Sequence, residues 1–165
     1  MTALAAGTKV PDVELMTIDG KKCSLPAQLA RGPVVLVFFK VSCPTCQYAL
    51  PMFERLHQAY GQKNVTLAAV SQNDTKETTA FIRQFGITFP VLLDDTYSYP
   101  ASNAYGLTHV PSIFWVAQDG EIELSTVGWV KADFELINRK IAEAGKVSPS
   151  VIYTPGEDVR DFRAG

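Results

Sequence analysis

"FFKVSCPTCQYALP", residues 38–51, places two cysteines three positions apart, directly behind an apolar run. Such a pair holds a metal, crosslinks a fold or exchanges electrons with other thiols, and the spacing alone does not choose. The flanks narrow the choice. Pro33–Lys40 is nearly all apolar and reads as a strand covered on both faces, the usual state of a central strand in an α/β sheet. Pro44–Tyr60 reads as a helix, because Ala49, Met52, Phe53, Leu56 and Tyr60 recur at helical spacing. Pro44 suits the first helical position, where its missing N–H costs nothing. Pro51, inside the helix, predicts a kink. Cys43 therefore falls where a strand ends and a helix begins, beside free N–H groups and the positive end of the macrodipole. A thiolate at such a place is stabilised and nucleophilic. Cys46 lies on the same turn, one step inward. Two sulfurs of unequal exposure suit disulfide exchange, in which the outer attacks a substrate disulfide and the inner attacks the mixed disulfide that results.

Working outward, Asp12–Met16 and Lys22–Leu25 flank Asp19-Gly20 and predict an N-terminal β-hairpin, followed by a short turn around Pro26–Ala30. Val65–Ser71 is a second buried strand. Asp74 and Glu77 form a capping-box pattern before a helix whose apolar face is Thr78, Phe81, Ile82 and Phe85, with Gly86 as its stop. Phe89–Leu93 predicts a strand and Tyr99–Tyr105 a short helix ended by Gly106. Ile113–Ala117 and Glu121–Val127 predict a hairpin across Asp119-Gly120, and Asp133–Ala144 a last helix. Alternating units of this kind predict an α/β fold with a mostly parallel sheet, helices on both faces, and the final hairpin antiparallel at one edge. Residues 1–146 read as one domain. Residues 147–165 mix Pro, Gly and charge and read as an extended tail.

A chain of 165 residues, 47% hydrophobic and 19% charged, has the size of one domain and the apolar content for a core. Its net charge of −2 comes from interspersed signs, which speaks against a nucleic-acid surface. No apolar run approaches the roughly 18 residues of a membrane span. The first ten residues lack the basic region of a signal peptide. The expectation is a cytoplasmic protein, with export behind a leader as the alternative. A structural zinc site needs a second ligand pair, and only Cys23, His57 and His109 are on offer, none suitably spaced. Two inert buried cysteines fit poorly at a strand-to-helix junction. Cys23 reads as a small hydrophobe, and His57 as a packed helix residue.

The strand, the Cys-x-x-Cys at a helix start, Pro51 eight residues after Cys43, and Val110-Pro111 before a strand together resemble the thioredoxin superfamily. "GTKVPDVELMTIDGKKCSL" (7–25) is similar to the N-terminal hairpin of its TlpA/ResA-type thiol-disulfide oxidoreductases. "FGITFPVLLDDTYSYPASNAYGLTHVPSIFWVAQDGEI" (85–122) is similar to their inserted β-α unit and the strand after it. This branch overlaps the redoxin, or AhpC/TSA-like, group, and the resemblance covers residues 7–145. It implies a thioredoxin-like fold with an N-terminal β-hairpin and an inserted β-α unit. It also implies exchange through Cys43 and Cys46, with protein disulfides or dithiols as substrates and another thiol as electron donor. By resemblance Val110-Pro111 is a cis peptide bond facing the cysteines, and Val110, Pro111, Ser112, Pro44 and Thr45 are the substrate-binding candidates. No cofactor or metal is implied.

Several positions depart from the family pattern. The buried Asp of thioredoxin, six residues before the first cysteine, is Val37 here. The ResA-like glutamate falls at Asn73, beside Asp74, which is more simply an N-cap. The proton acceptor of Cys46 therefore stays unassigned. Ser42 replaces the usual aromatic. Peroxiredoxins are the nearest rival, but the Pro and Thr of their signature would fall at Leu36 and Lys40, so peroxidase activity at Cys43 is the alternative. Copper chaperones of the Sco type need a longer cysteine spacing and a distal histidine, for which His109 reads as a loop residue. A non-enzymatic redox sensor is the third reading. Oligomeric state stays open.

Overall fold

The computed structural model describes residues 3–165. Its elements run β1 (Glu14–Thr17), β2 (Lys22–Ser24), α1 (Leu25–Leu29), β3 (Val34–Phe39), α2 (Pro44–Tyr60), β4 (Thr66–Ser71), α3 (Thr75–Phe85) and β5 (Val91–Leu93). They continue as α4 (Pro100–Ala104), β6 (Ser112–Val116), β7 (Ile122–Val127), β8 (Trp129–Val130), α5 (Lys131–Ala144) and β9 (Phe162–Arg163).

All six residues of β3 are buried, as are all six of β4. The reason is that helices cover both faces of the sheet. Val35, Val37 and Phe39 face Phe53 and Leu56 of α2, Phe81 of α3, and Phe134 and Ile137 of α5. Val34, Leu36 and Phe38 face Leu25 and Leu29 of α1, Ala101 of α4, and Tyr105. Burying one such side chain contributes about 1.5–3 kcal/mol, so the continuous apolar runs are what fix these strands at the centre.

The seven strands lie in the order β2-β1-β5-β4-β3-β6-β7. Among the described residues, only β3–β4 and β4–β5 pair in parallel. The expectation of a mostly parallel sheet is therefore corrected to a mixed one. Both hairpins add antiparallel strands: β1 joins β5 at one side, and β6 joins the central β3 at the other. Local patterning cannot distinguish these pairings, because a strand buried on both faces reads the same in either direction.

The turn around Pro26–Ala30 is a short helix, and α5 begins two residues before the expected Asp133, whose carboxylate accepts a bond from Thr126. Asp74 caps α3 as expected, accepting from Glu77 N at 2.8 Å. Residues 147–165 extend along the domain surface, are anchored by buried Val159, and end in β9 paired to β8. A bidentate Arg55–Glu157 pair, at 2.7 and 2.8 Å, holds their middle to α2. The Arg55 guanidinium in turn pulls the Glu157 carboxyl down to about 2.

Candidate active site

The end of β3 delivers the chain to the cysteines, and Asn73 fixes its path. The Asn73 side-chain oxygen accepts from Val41 N at 2.9 Å, and its amide donates to Glu77 at 2.8 Å. The position that resemblance equates with a family glutamate thus holds the approach to Cys43 through a neutral amide. It is not a base. Gln47 closes the same loop by donating to Val41 O at 2.9 Å.

Cys43 is the N-cap of α2. Its sulfur accepts from Cys46 N at 3.1 Å, the bond a capping serine oxygen would make, and donates to Val110 O at 3.4 Å. One free N–H of the first turn, that of Cys46, therefore points at this sulfur. Cys43 is half-buried and Cys46 is fully buried, and both are free thiols. Burial pushes the Cys46 thiol well above its ordinary value, and the adjoining Cys43 sulfur adds to the rise. No carboxylate bonds to either thiol among the described residues.

Val110-Pro111 is cis, and the Val110 carbonyl meets Cys43. Pro111 is buried and Val110 half-buried. Ser112 follows the turn as the first residue of β6. It is fully buried and its hydroxyl donates to His109 O at 2.7 Å, so it braces the turn from beneath and presents no hydroxyl to a substrate. Pro44 is exposed. Thr45 is only 6% exposed, because its hydroxyl donates to Ala164 O at 2.6 Å. His109 is exposed and lies against Thr108. Among the described residues no three His, Cys, Asp or Glu side chains converge as metal ligands.

On the far side of Val110 lies a cleft of about 280 Å³ lined by Lys40, Gln72, Tyr99, Ser102 and His109 among others. Buried Asp94 organises its wall, accepting from Ala101 N, Ser102 N and the Ser102 hydroxyl at 2.7–3.0 Å. Sequence reasoning passed over Asp94, since an Asp-Asp pair after a strand carries no periodic signal. It also missed Tyr48 and Trp129, whose partners lie in the last residues of the chain.

A mixed sheet with a cis-proline turn facing a capping cysteine defines a thioredoxin-like dithiol protein. The profile of the AhpC/TSA family matches residues 6–125, and the chain belongs to that family. It is 29% identical over 128 residues to the thiol-disulfide oxidoreductase ResA of Geobacillus thermodenitrificans, covering 77% of this chain and 72% of that one. To the sporulation thiol-disulfide oxidoreductase A of Bacillus subtilis it is 30% identical over 129 residues, covering 75% and 76%. A thiol:disulfide interchange protein of the thioredoxin family from Chlorobium tepidum has a structure that superposes with a TM-score of 0.67. It is 26% identical, and the match covers 84% of this chain and 99% of that one.

Proposed function

We infer that the chain is a thiol-disulfide oxidoreductase that exchanges electrons with protein thiols through Cys43 and Cys46. The observation that carries this is the pair's asymmetry: Cys43 is half-exposed at a helix N-terminus, and Cys46 is buried one turn on with its N–H directed at the Cys43 sulfur. In the reducing direction the Cys43 thiolate attacks one sulfur of a substrate disulfide. A Cys43–substrate bond forms and the other substrate thiolate leaves. Cys46, once deprotonated, attacks the Cys43 sulfur, forms the intramolecular disulfide and releases the second substrate thiolate. Each released thiolate takes up a proton. The same steps in reverse oxidise a substrate dithiol. Burial that holds Cys46 protonated keeps it from competing for the first attack. Pro44 and the Val110-Pro111 turn flank Cys43 and are the residues we propose to meet the substrate chain.

A peroxidase would need peroxide-orienting groups. Leu36 is buried at 3% exposure with no polar group on its side chain, and Lys40 is exposed and makes no side-chain hydrogen bond to Cys43 among the described residues. Stopped-flow oxidation of the reduced protein separates the two activities. Fast reaction with a protein disulfide and slow reaction with hydrogen peroxide supports exchange, and the opposite order overturns it. Slow turnover with every disulfide, even with excess reductant, would leave a sensor.

A further inference from the structure

We propose that the seat of residues 160–165 is an extended-peptide groove, that these residues occupy it in cis, and that a substrate segment must displace them to reach Cys43. The inference rests on the exchange reading above and concerns access to the same cysteine.

The segment crosses the site from one rim to the other. Arg160 N donates to the Tyr48 hydroxyl at 3.1 Å, and Arg160 O accepts from Trp129 Nε1 at 2.7 Å. Lys131 N donates to Asp161 O at 2.9 Å. Phe162 and Arg163 then pair antiparallel with Val130 and Trp129. The Arg163 guanidinium lies 4.9 Å over the Tyr48 ring. Ala164 O takes the Thr45 hydroxyl, inside the Cys-Pro-Thr-Cys motif itself. A methyl group on Gly165 would come within 2.7 Å of Val110 O, the carbonyl that also meets the Cys43 sulfur. An added strand of backbone thus lies between the two walls of the redox site, in the manner of peptide recognition by strand addition.

The body of the protein is shaped for this chain. Gly128 sits at φ +81°, and a Cβ there would fall 2.5 Å from Arg163 O. Trp129 is fully buried, with the one polar atom of its side chain bonded to the segment. The seat is therefore a built groove. The segment itself is lightly held beyond Arg160: Phe162 is 61% exposed, and Ala164 and Gly165 are exposed. Its last four residues bury no apolar side chain, so backbone pairing, one hydroxyl and one cation–π contact retain them. An incoming extended segment can make the same bonds. The chemistry of the seat defines what fits: an arginine or lysine over the Tyr48 face, then small residues past Thr45. Cys43 stays half-exposed beside the bound segment, so a small disulfide reaches it without displacement.

The test compares the 165-residue chain with one ending at Asp161, each reduced and mixed with a protein disulfide or with a small aromatic disulfide. If the groove is closed about nine-tenths of the time, shortening the chain speeds the protein reaction about tenfold and leaves the small-molecule reaction nearly unchanged. A synthetic peptide of residues 162–165, the part the shortened chain lacks, should slow the shortened chain again, and the same peptide carrying Arg163→Ala should do so less well. Equal rates of the two chains with the protein disulfide, or no effect of the peptide, would overturn the proposal. Failure of both chains with both disulfides would instead overturn the exchange reading. Should the shortened chain fold poorly, full-length Arg163→Ala serves: a smaller gain with the protein disulfide alone supports the groove, and no gain contradicts it.

Discussion

Glu54→Ala tests how the fold anchors α2, the helix that carries both cysteines. Glu54 is 8% exposed, and no cation pairs with it among the described residues. Its carboxylate accepts from Thr88 N at 2.6 Å, the Thr88 hydroxyl at 2.7 Å, Phe89 N at 3.3 Å and the Gln58 amide at 3.0 Å. Burial pushes its carboxyl up, but the Thr88 N–H and the other donors outweigh that and hold it below the ordinary value. Removing the carboxylate returns the exposed Thr88 groups to water at about 1 kcal/mol and strands the N–H of buried Phe89 at a further 1–3 kcal/mol. The expected loss is about 2–4 kcal/mol, or roughly 5–12 °C in Tm for a chain of this size. Denaturant melts at pH 7 read it directly. The pH dependence gives a second check. A carboxylate whose folded pKa is depressed contributes stability that is present above its unfolded value of 4.5 and lost as pH falls through the folded value. The gap between wild type and variant should therefore hold above pH 5 and narrow below pH 4.5. Glu54 is eleven residues from Cys43, about 16 Å along the helix, so disulfide exchange per folded molecule should not change. A loss under about 0.5 kcal/mol, or a gap that persists undiminished to pH 2, would refute the reasoning.

Other outcomes follow from single contacts. Asp74→Ala removes the N-cap of α3 and should cost about 1 kcal/mol in a denaturant melt, and Asp74→Ser should recover most of it. Asn73→Ala frees the Val41 N–H and loosens the loop before Cys43. The reaction with a small disulfide should slow severalfold while the secondary structure by circular dichroism holds, and an unchanged rate would deny Asn73 its positioning role. In single-turnover mixing, the intramolecular step should keep rising with pH through 9, because burial holds the Cys46 thiol above that ordinary value. A plateau below pH 9 would contradict it.

The sequence made the centre of this protein legible because its signals there are local. PVVLVFFK reads as a doubly covered strand, and Pro44 with the apolar spacing of 49–60 marks the helix behind Cys43. Resemblance supplied the Val110-Pro111 turn opposite. What stayed hidden depends on contacts remote in sequence. The direction in which β6 meets β3 leaves no periodic mark. Residues 147–165 read as a tail because they are polar and rich in turn formers. Yet they bond to Thr45, Tyr48 and Trp129 mainly through backbone groups, which composition does not record. The direction of the Ser112 side chain is unmarked too, although its bond to His109 O is local. A residue next to a substrate turn in sequence can point its side chain beneath it.

The central claim is that Cys43 attacks and Cys46 resolves. The direct measurement is mass spectrometry of the Cys46→Ser and Cys43→Ser variants after each is reduced and mixed with a protein disulfide. With Cys46 removed, a stable adduct equal to protein plus substrate should accumulate, and peptide mapping should place the bond at Cys43. With Cys43 removed, buried Cys46 should form little or none. Adducts of equal yield in the two variants, or a bond mapped to Cys23 or Cys46, would contradict the account.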